Sequence, residues 1–264
     1  MSEIVIDGAT KVFGAGGPNP FNAIGGIDFT VEDREFISVV GPSGCGKTTL
    51  MRMVAGLESV TEGEIRVAGK PVTGPGPDRA VVFQQFALFP WKDVRENIVF
   101  GMRSKGASKA ERDAAVEHYL TLMKMEGTED KYPHQLSGGM QQRVAIARSY
   151  ATDPGVLLMD EPFGALDAQT RTIMQEELVR VSKDNPRTVM FITHSVEEAV
   201  YLADRVVVMG RNPGHVREVI EVGEVRRAER WAEQPIDDVM EMPSFTHLRG
   251  QVWRLLREQM GADL

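Results

Sequence analysis

The sequence predicts an α/β fold built on a mostly parallel sheet. Short apolar runs recur along the chain, FISVV at 36–40, AVVF at 80–83, VLLMD at 156–160, TVMFIT at 188–193 and RVVVM at 205–209. Segments with helical spacing lie between the later runs, at 168–183 and 195–203. The run at 36–40 ends in a glycine-rich loop, GPSGCGKTT, that opens a helix over 48–56. Continuous apolar runs alternating with helices are what strands covered on both faces of a parallel sheet require.

Taken in order, Ile4-Val5-Ile6 and the stretch around Ile27, Phe29 and Val31 read as short strands. GEIRVAGKPV alternates polar and apolar residues, as an antiparallel strand does. The chain changes character over 88–150. There Ser108 and Glu111 form a capping box, and Val116, Tyr119, Leu120 and Met123 follow at helical spacing. A second stripe, Met140, Val144, Ala147 and Ala151, follows LSGG. This region is expected as a helical insertion into the α/β core. Beyond about residue 225 the chain is polar, until HLRGQVWRLLREQM forms a last amphipathic helix with Leu248, Val252 and Leu255 facing inward. The expected organisation is a catalytic unit over 1–225 and a tail over 226–264.

Composition narrows the function. The chain has 264 residues, 42% of them hydrophobic and 26% charged, with a net charge of −8. An acidic chain without a basic block argues against nucleic acid as a partner. A single cysteine, Cys45, excludes an internal disulfide and fits a reducing compartment. No apolar run reaches the ~18 residues of a membrane span, and the N-terminus lacks a signal-peptide layout. The expectation is a cytoplasmic protein that meets a membrane only through a partner.

Gly41 to Thr48 fits G-x-x-x-x-G-K-[ST] between a buried strand and a helix, the context this motif needs. The backbone of Gly41, Pro42, Ser43, Gly44, Cys45 and Gly46 would curl around phosphates. Lys47 would reach the β- and γ-phosphates of a nucleotide, Thr48 would ligate Mg²⁺ and Thr49 continues the loop into the helix. Cys45 reads as a small loop residue rather than a redox switch. Asp160 and Glu161 end the VLLMD strand, and Pro162 suggests that the strand stops there. Asp160 would hold Mg²⁺ through water, and Glu161 would orient or deprotonate the attacking water. His194 ends TVMFIT at the sheet edge where such folds bind ligands, placed to hydrogen-bond the γ-phosphate and hold Glu161 and water in line. Gln84, after AVVF, can turn its carbonyl to Mg²⁺ or to the water. Phe13 is a candidate to stack on the nucleotide base, with Phe21 a rival and a core position the alternative. Ser137-Gly138-Gly139 starts a helix with bare N–H groups, a second anion site.

Together these motifs resemble the ATP-binding subunits of ABC transporters over residues 3 to about 225. The matching segments are GPSGCGKTT, VFQQ, LSGGMQQR, VLLMDEP, GALD and TH, in the family's order. The resemblance implies an ABC-type P-loop NTPase with a mixed sheet core, an N-terminal antiparallel β-subdomain and an inserted helical subdomain. It further implies a head-to-tail dimer of two copies sharing two ATP. In it Ser137, Gly138 and Gly139 of one copy cap the γ-phosphate bound by the other, and Asp167 of GALD lies at the seam. GPGPDRAVVFQQFALFPW, DEPFGALDAQTR and the C-terminal MPSFTHLRGQVWRLLREQ are similar to the ATPases of bacterial nitrate, sulfonate and taurine importers. This implies an integral membrane permease that docks at Leu88, Phe89, Pro90 and Trp91, a solute-binding protein beyond it, and a peripheral position on the cytoplasmic face of the inner membrane. Two positions depart from the family's common pattern: Ser195 follows the histidine where many relatives have Asp, and Phe13 replaces a more common Tyr. Soluble ABC proteins acting on ribosomes or DNA are the alternative. They carry paired cassettes, coiled-coil insertions or basic surfaces, none of which is present. An N-K-x-D motif, which a GTPase requires, is absent too.

Overall fold

The computed structural model describes residues 2–261. The chain begins β1 (Ile4–Phe13), β2 (Phe21–Val31), β3 (Phe36–Val40), α1 (Lys47–Ala55), β4 (Glu62–Val67), β5 (Lys70–Pro71) and β6 (Arg79–Val82). Three helices follow, α2 (Val94–Ser104), α3 (Lys109–Leu122) and α4 (Gly138–Ala151). It then alternates β7 (Val156–Asp160), α5 (Ala168–Asp184), β8 (Thr188–Ile192), α6 (Val196–Leu202) and β9 (Arg205–Gly210). It continues β10 (His215–Glu221), α7 (Gly223–Ala228), a 3-10 turn at Trp231–Glu233, α8 (Ile236–Glu241) and α9 (Pro243–Gly261).

Two sheets result. The first is antiparallel, ordered β2-β1-β4-β5; the second is ordered β10-β9-β3-β8-β7-β6 and is parallel except for β10. The parallel strands β3 and β8 are buried along their whole length, which is why they read as unbroken apolar runs. One hydrophobic cluster joins the two sheets across α1, through Ile4, Ile24, Leu50, Met51 and Leu158. A second fills the other face of the parallel sheet and reaches into the helical region and the C-terminal segment.

Helix starts in the insertion follow side-chain caps. Asp93 accepts from Glu96 N at 2.6 Å, and Ser108 and Glu111 form the reciprocal box that the sequence predicts. The insertion's first helix begins at Val94, because residues 88–92 belong to an irregular loop. β1 and β2 run longer than their apolar cores suggest. Gly8 and Gly26 take positive φ, and the register shifts between Ile6 and Ala9 and again up to Val12, which breaks the alternation. β10 lies at the sheet edge with charged residues on its outer side. The C-terminal segment is not loosely attached: Trp231, Ile236, Val239, Phe245 and Val252 are all buried in the second cluster, with Leu248 nearly so and Leu255 against it.

Candidate functional site

The loop from Gly41 to Gly46 follows β3 directly and tucks against β2. Gly46 has φ +92°, and a Cβ there would lie 2.4 Å from Ile24 Cδ1 and 3.0 Å from the Ala23 carbonyl, so only glycine permits this approach. Lys47 Nζ donates to the carbonyls of Gly41 (2.8 Å) and Pro42 (3.3 Å). The ammonium therefore sits over the loop, at the floor of a 340 Å³ cavity. Phe13, Phe21, Ser43, Gly44, Thr48 and Thr49 line that cavity, together with Glu161 and His194. Phe13 and Phe21 are opposed residues at the hairpin end of the β1–β2 ribbon, next to the 14–20 connection, and both are exposed. Cys45 points inward and is fully buried; burial raises its thiol pKa, which keeps it a protonated packing group.

β7 ends at Asp160, opposite Ile192 of β8. Asp160 Oδ1 accepts from Thr48 Oγ1 at 3.2 Å, and burial pushes its carboxyl above the usual range. Glu161 leaves strand geometry with φ +46°, its N–H donating to the Ile192 carbonyl at 2.9 Å. Its carboxylate turns away from Thr48. Oε1 lies 2.5 Å from His194 Nε2, and Oε2 accepts from Gln84 Nε2 at 3.4 Å. Thr48 hydroxyl, Asp160 carboxylate and the Gln84 amide are oxygen donors of the kind Mg²⁺ takes. Among the described residues no cluster of three His, Cys, Asp or Glu forms a metal cage, so a bound ion would share its shell with phosphates and water. Thr48 and Asp160 stand together and fit Mg²⁺ in that role, whereas Gln84 lies outside the P-loop cavity and presents its amide N–H to Glu161.

The second helix start stands apart from this cavity. Ser137 Oγ accepts from Met140 N at 3.3 Å and caps α4, leaving the Gly138 and Gly139 N–H groups without a helical acceptor. None of the three lines the P-loop cavity. Gly139 packs so closely on α5 that a Cβ would fall 2.4 Å from Thr170 Cγ2. Asp167 caps α5 by accepting from Thr170 N at 3.0 Å; that bond holds its carboxyl below the ordinary carboxylate range. Asp167 and the LSGG turn thus form one exposed surface, separate from the chain's own P-loop.

The ABC transporter family model matches residues 24–164, more than half the chain. The chain belongs to the ABC transporter family. An uncharacterised ABC transporter ATP-binding protein of Methanocaldococcus jannaschii is 50% identical over 86% of this chain and 85% of its own length. The bicarbonate transport ATP-binding protein CmpC of Synechococcus elongatus is 44% identical over 97% of this chain. The nitrate import ATP-binding protein NrtC of the same species is 40% identical over 98%. The aligned part makes up 38% and 39% of those two longer proteins. A dimeric ATP-binding cassette solved in a post-hydrolysis state with ADP and Pi superposes with a TM-score of 0.72 at 28% identity, covering 83% of this chain and 98% of that one. This chain is accordingly an ABC ATPase, an ATP-binding chain whose hydrolysis is linked to transport.

In this ABC ATPase, Gln84 touches Glu161 and also borders a 680 Å³ groove formed with Phe86, Leu88, Pro90, Pro133 and Gln141. Beside it Trp91 is 70% exposed, while Phe89 packs on Phe100 and Trp91 at ring separations of 4.4 and 5.7 Å. The loop holding these rings is fixed by Asn97, a fully buried amide that sequence reasoning missed. Asn97 accepts from Phe89 N (2.9 Å) and donates to the carbonyls of Phe89 (3.2 Å), Lys92 (3.0 Å) and Asp93 (2.9 Å). A second missed group supports His194. Thr193 donates its hydroxyl to Glu198 and accepts from Ser195 N at 3.0 Å, while Gln175 donates to Glu198 at 3.0 Å. Both are polar residues buried by tertiary contacts, which no linear pattern marks.

Proposed function

We propose that this chain is the motor of an importer for a small oxyanion, working as a head-to-tail dimer that binds two Mg-ATP. The observation that carries the reading is the Glu161–His194 contact of 2.5 Å on the wall of the P-loop cavity. Lys47 offsets phosphate charge, and Ser43, Gly44 and Gly46 offer backbone N–H groups to phosphate oxygens. Mg²⁺, held between phosphates and the Thr48 and Asp160 oxygens, would supply charge neutralisation on the transferring phosphate. Glu161 takes a proton from the attacking water, whose oxygen bonds to the γ-phosphorus as the bond to ADP breaks. His194 keeps that carboxylate fixed and donates toward the γ-phosphate. Ser137, Gly138 and Gly139 serve the ATP of the partner copy, which explains why they stand outside their own cavity, and Asp167 lies at the same seam.

Residues 1–225 act as the catalytic unit and 226–264 as a tail, whose described part is braced on it. The permease docks at Leu88–Trp91, and Gln84 relays the nucleotide state to that groove. A solute-binding protein delivers to the permease, and the chain is held peripherally at the cytoplasmic face. The named roles of CmpC and NrtC, bicarbonate and nitrate, support a small oxyanion; sulfonate and taurine belong to the same chemical range.

The test is Glu161→Gln. It should retain ATP binding, lose turnover and accumulate an ATP-dependent dimer, because association is linked to bound nucleotide. Adding Ser137→Arg should abolish that dimer without loss of ATP affinity. Normal hydrolysis by Glu161→Gln would overturn the catalytic assignment. A dimer indifferent to Ser137→Arg would overturn the shared site.

A further inference from the structure

The edge of the parallel sheet opposite the P-loop carries a second built cavity. Arg34 lies two residues before β3, Arg187 directly before β8, and Asp204 directly before β9. The P-loop and His194 follow the far ends of β3 and β8, five-residue strands of about 17 Å. α7 and the turn after it cross this near edge. They bring Arg226, Arg227 and Arg230 to a 330 Å³ hollow whose apolar part comes from Phe36, Val179 and Ala232.

Lys183 completes a set of six cationic side chains around this hollow, against two carboxylates, in a chain of net charge −8. Those carboxylates are already engaged. Asp204 accepts from Phe36 N at 3.1 Å and lies 3.7 Å from Arg226 and 3.4 Å from Arg227; Glu233 pairs with Lys183 at 3.3 Å. Among the described residues the side chains of Arg34 and Arg230 make no ion pair. Arg187 reaches Asp153 through Nη2, yet its Nε is buried with no acceptor. The Arg226 side chain is only 15% exposed, and burial lowers its pKa. Arg34 and Arg230 are exposed at the mouth of the hollow, so the uncompensated burial lies at the Arg187 Nε, a group that is costly to leave without an acceptor.

We propose that this cavity binds a small diphosphate-bearing anion through Arg34, Arg187, Arg226 and Arg230. Phosphate suits it better than a carboxylate. Each guanidinium is a planar fork of donors, and the forks come from separate segments; a tetrahedral group with several oxygens can meet them from several directions. The excess of four positive charges in the lining matches a diphosphate. Bound there, the anion ties the start of β3 and β8 to the tail segment, at a site distinct from the ATP cavity.

The reporter is built in. The sequence has three tryptophans, and Trp231, fully buried, lies between the lining residues Arg230 and Ala232. The full chain carrying Trp91→Phe and Trp253→Phe leaves Trp231 as the single fluorophore. With the P-loop saturated by a non-hydrolysable Mg-ATP analogue and ionic strength held constant, inorganic pyrophosphate should give a saturable fluorescence change and raise the melting temperature. Arg34→Asn with Arg230→Asn, a residue suited to the positive φ of both positions, should weaken binding about tenfold or more and leave analogue affinity unchanged. Parallel titration with ADP separates the sources: tighter binding of ADP assigns a nucleotide, tighter binding of pyrophosphate a free anion. No saturable response at millimolar pyrophosphate overturns the proposal, as does an equal response in the double variant. If that variant does not fold, Arg34→Asn and Arg230→Asn made singly replace it, with weakened pyrophosphate binding expected in each and an unchanged affinity in both overturning the proposal.

Discussion

Glu161 Oε1 and His194 Nε2 lie 2.5 Å apart, joined across the adjacent ends of β7 and β8. Strand alternation alone would send Asp160 and Glu161 to opposite faces of the sheet. The positive φ of Glu161, just before Pro162, turns its side chain along the sheet edge instead. That conformation costs an L-residue about 1–2 kcal/mol. In return Asp160 faces Thr48 while Glu161 faces His194, so two sequential carboxylates hold different partners.

His194→Ala should lower kcat by about 10²–10⁴-fold, the span of a lost acid–base or orienting group. His194 contacts the carboxylate and not the P-loop carbonyls, so nucleotide affinity should stay within a few-fold. Steady-state kinetics beside equilibrium ATP binding separates the two. A variant that loses binding and keeps kcat would reverse the assignment.

Asp160→Asn should trade activity for stability. Burial raises the Asp160 carboxyl pKa, so the folded chain holds this proton more tightly than the unfolded chain. The site's contribution to stability therefore falls as pH rises from the unfolded through the folded pKa. Without that charge the variant should resist urea better than wild type at pH 7. The gap should close below pH about 4, where the carboxyl is protonated in both states. Mg²⁺-dependent hydrolysis should drop. A lower urea midpoint for Asn at pH 7 would contradict this sign.

Asn97→Ala should loosen the aromatic loop without touching the nucleotide. It leaves the part-buried Phe89 N–H and Lys92 carbonyl without their partner, at a cost of about 1 kcal/mol for each, since water can reach part of the loop. Trp91 fluorescence anisotropy should fall and permease pull-down should weaken, with ATP affinity unchanged. Phe89→Ala with Trp91→Ala should cause the same assembly defect with a smaller stability loss, because Trp91 is largely in water already. Intact assembly in both variants would remove this loop from the permease contact.

Trp231→Ala should destabilise the whole ATPase by about 3–5 kcal/mol, the usual cost of emptying a large core site. Trp231 packs against Phe245 with tilted rings 5.6 Å apart and donates Nε1 to Glu229 at 2.8 Å, holding the tail on the core. Denaturation should remain a single transition with a lower midpoint. A separate early transition would mean that the tail folds independently.

The cavity-lining loop at 41–48 and the carboxylates at 160–161 are legible in the sequence because the phosphate chemistry proposed for them needs fixed residue types over a few adjacent positions. The buried strands are legible for the same local reason. Asn97 and Glu198 are not: each is one polar residue whose meaning depends on groups brought by other segments. Trp231, Ile236, Val239 and Phe245 sit on short helices and turns too brief to show a period, so a well-packed segment reads as polar. β10 is an edge strand whose charged outer residues mask its apolar side. Phe13 and Phe21 are rivals in the sequence, and the ribbon brings both to one cavity.

That aromatic pair has a consequence for fuel. At the ribbon end the cavity offers ring faces and Ala23, and among the described lining residues the one side-chain carboxylate is Glu161, with no side-chain amide. A ring face attracts any purine and cannot tell an amino group from a carbonyl. If a base stacks there, adenine and guanine nucleotides should bind this chain within a few-fold of each other, a comparison that direct titration of ATP and GTP makes.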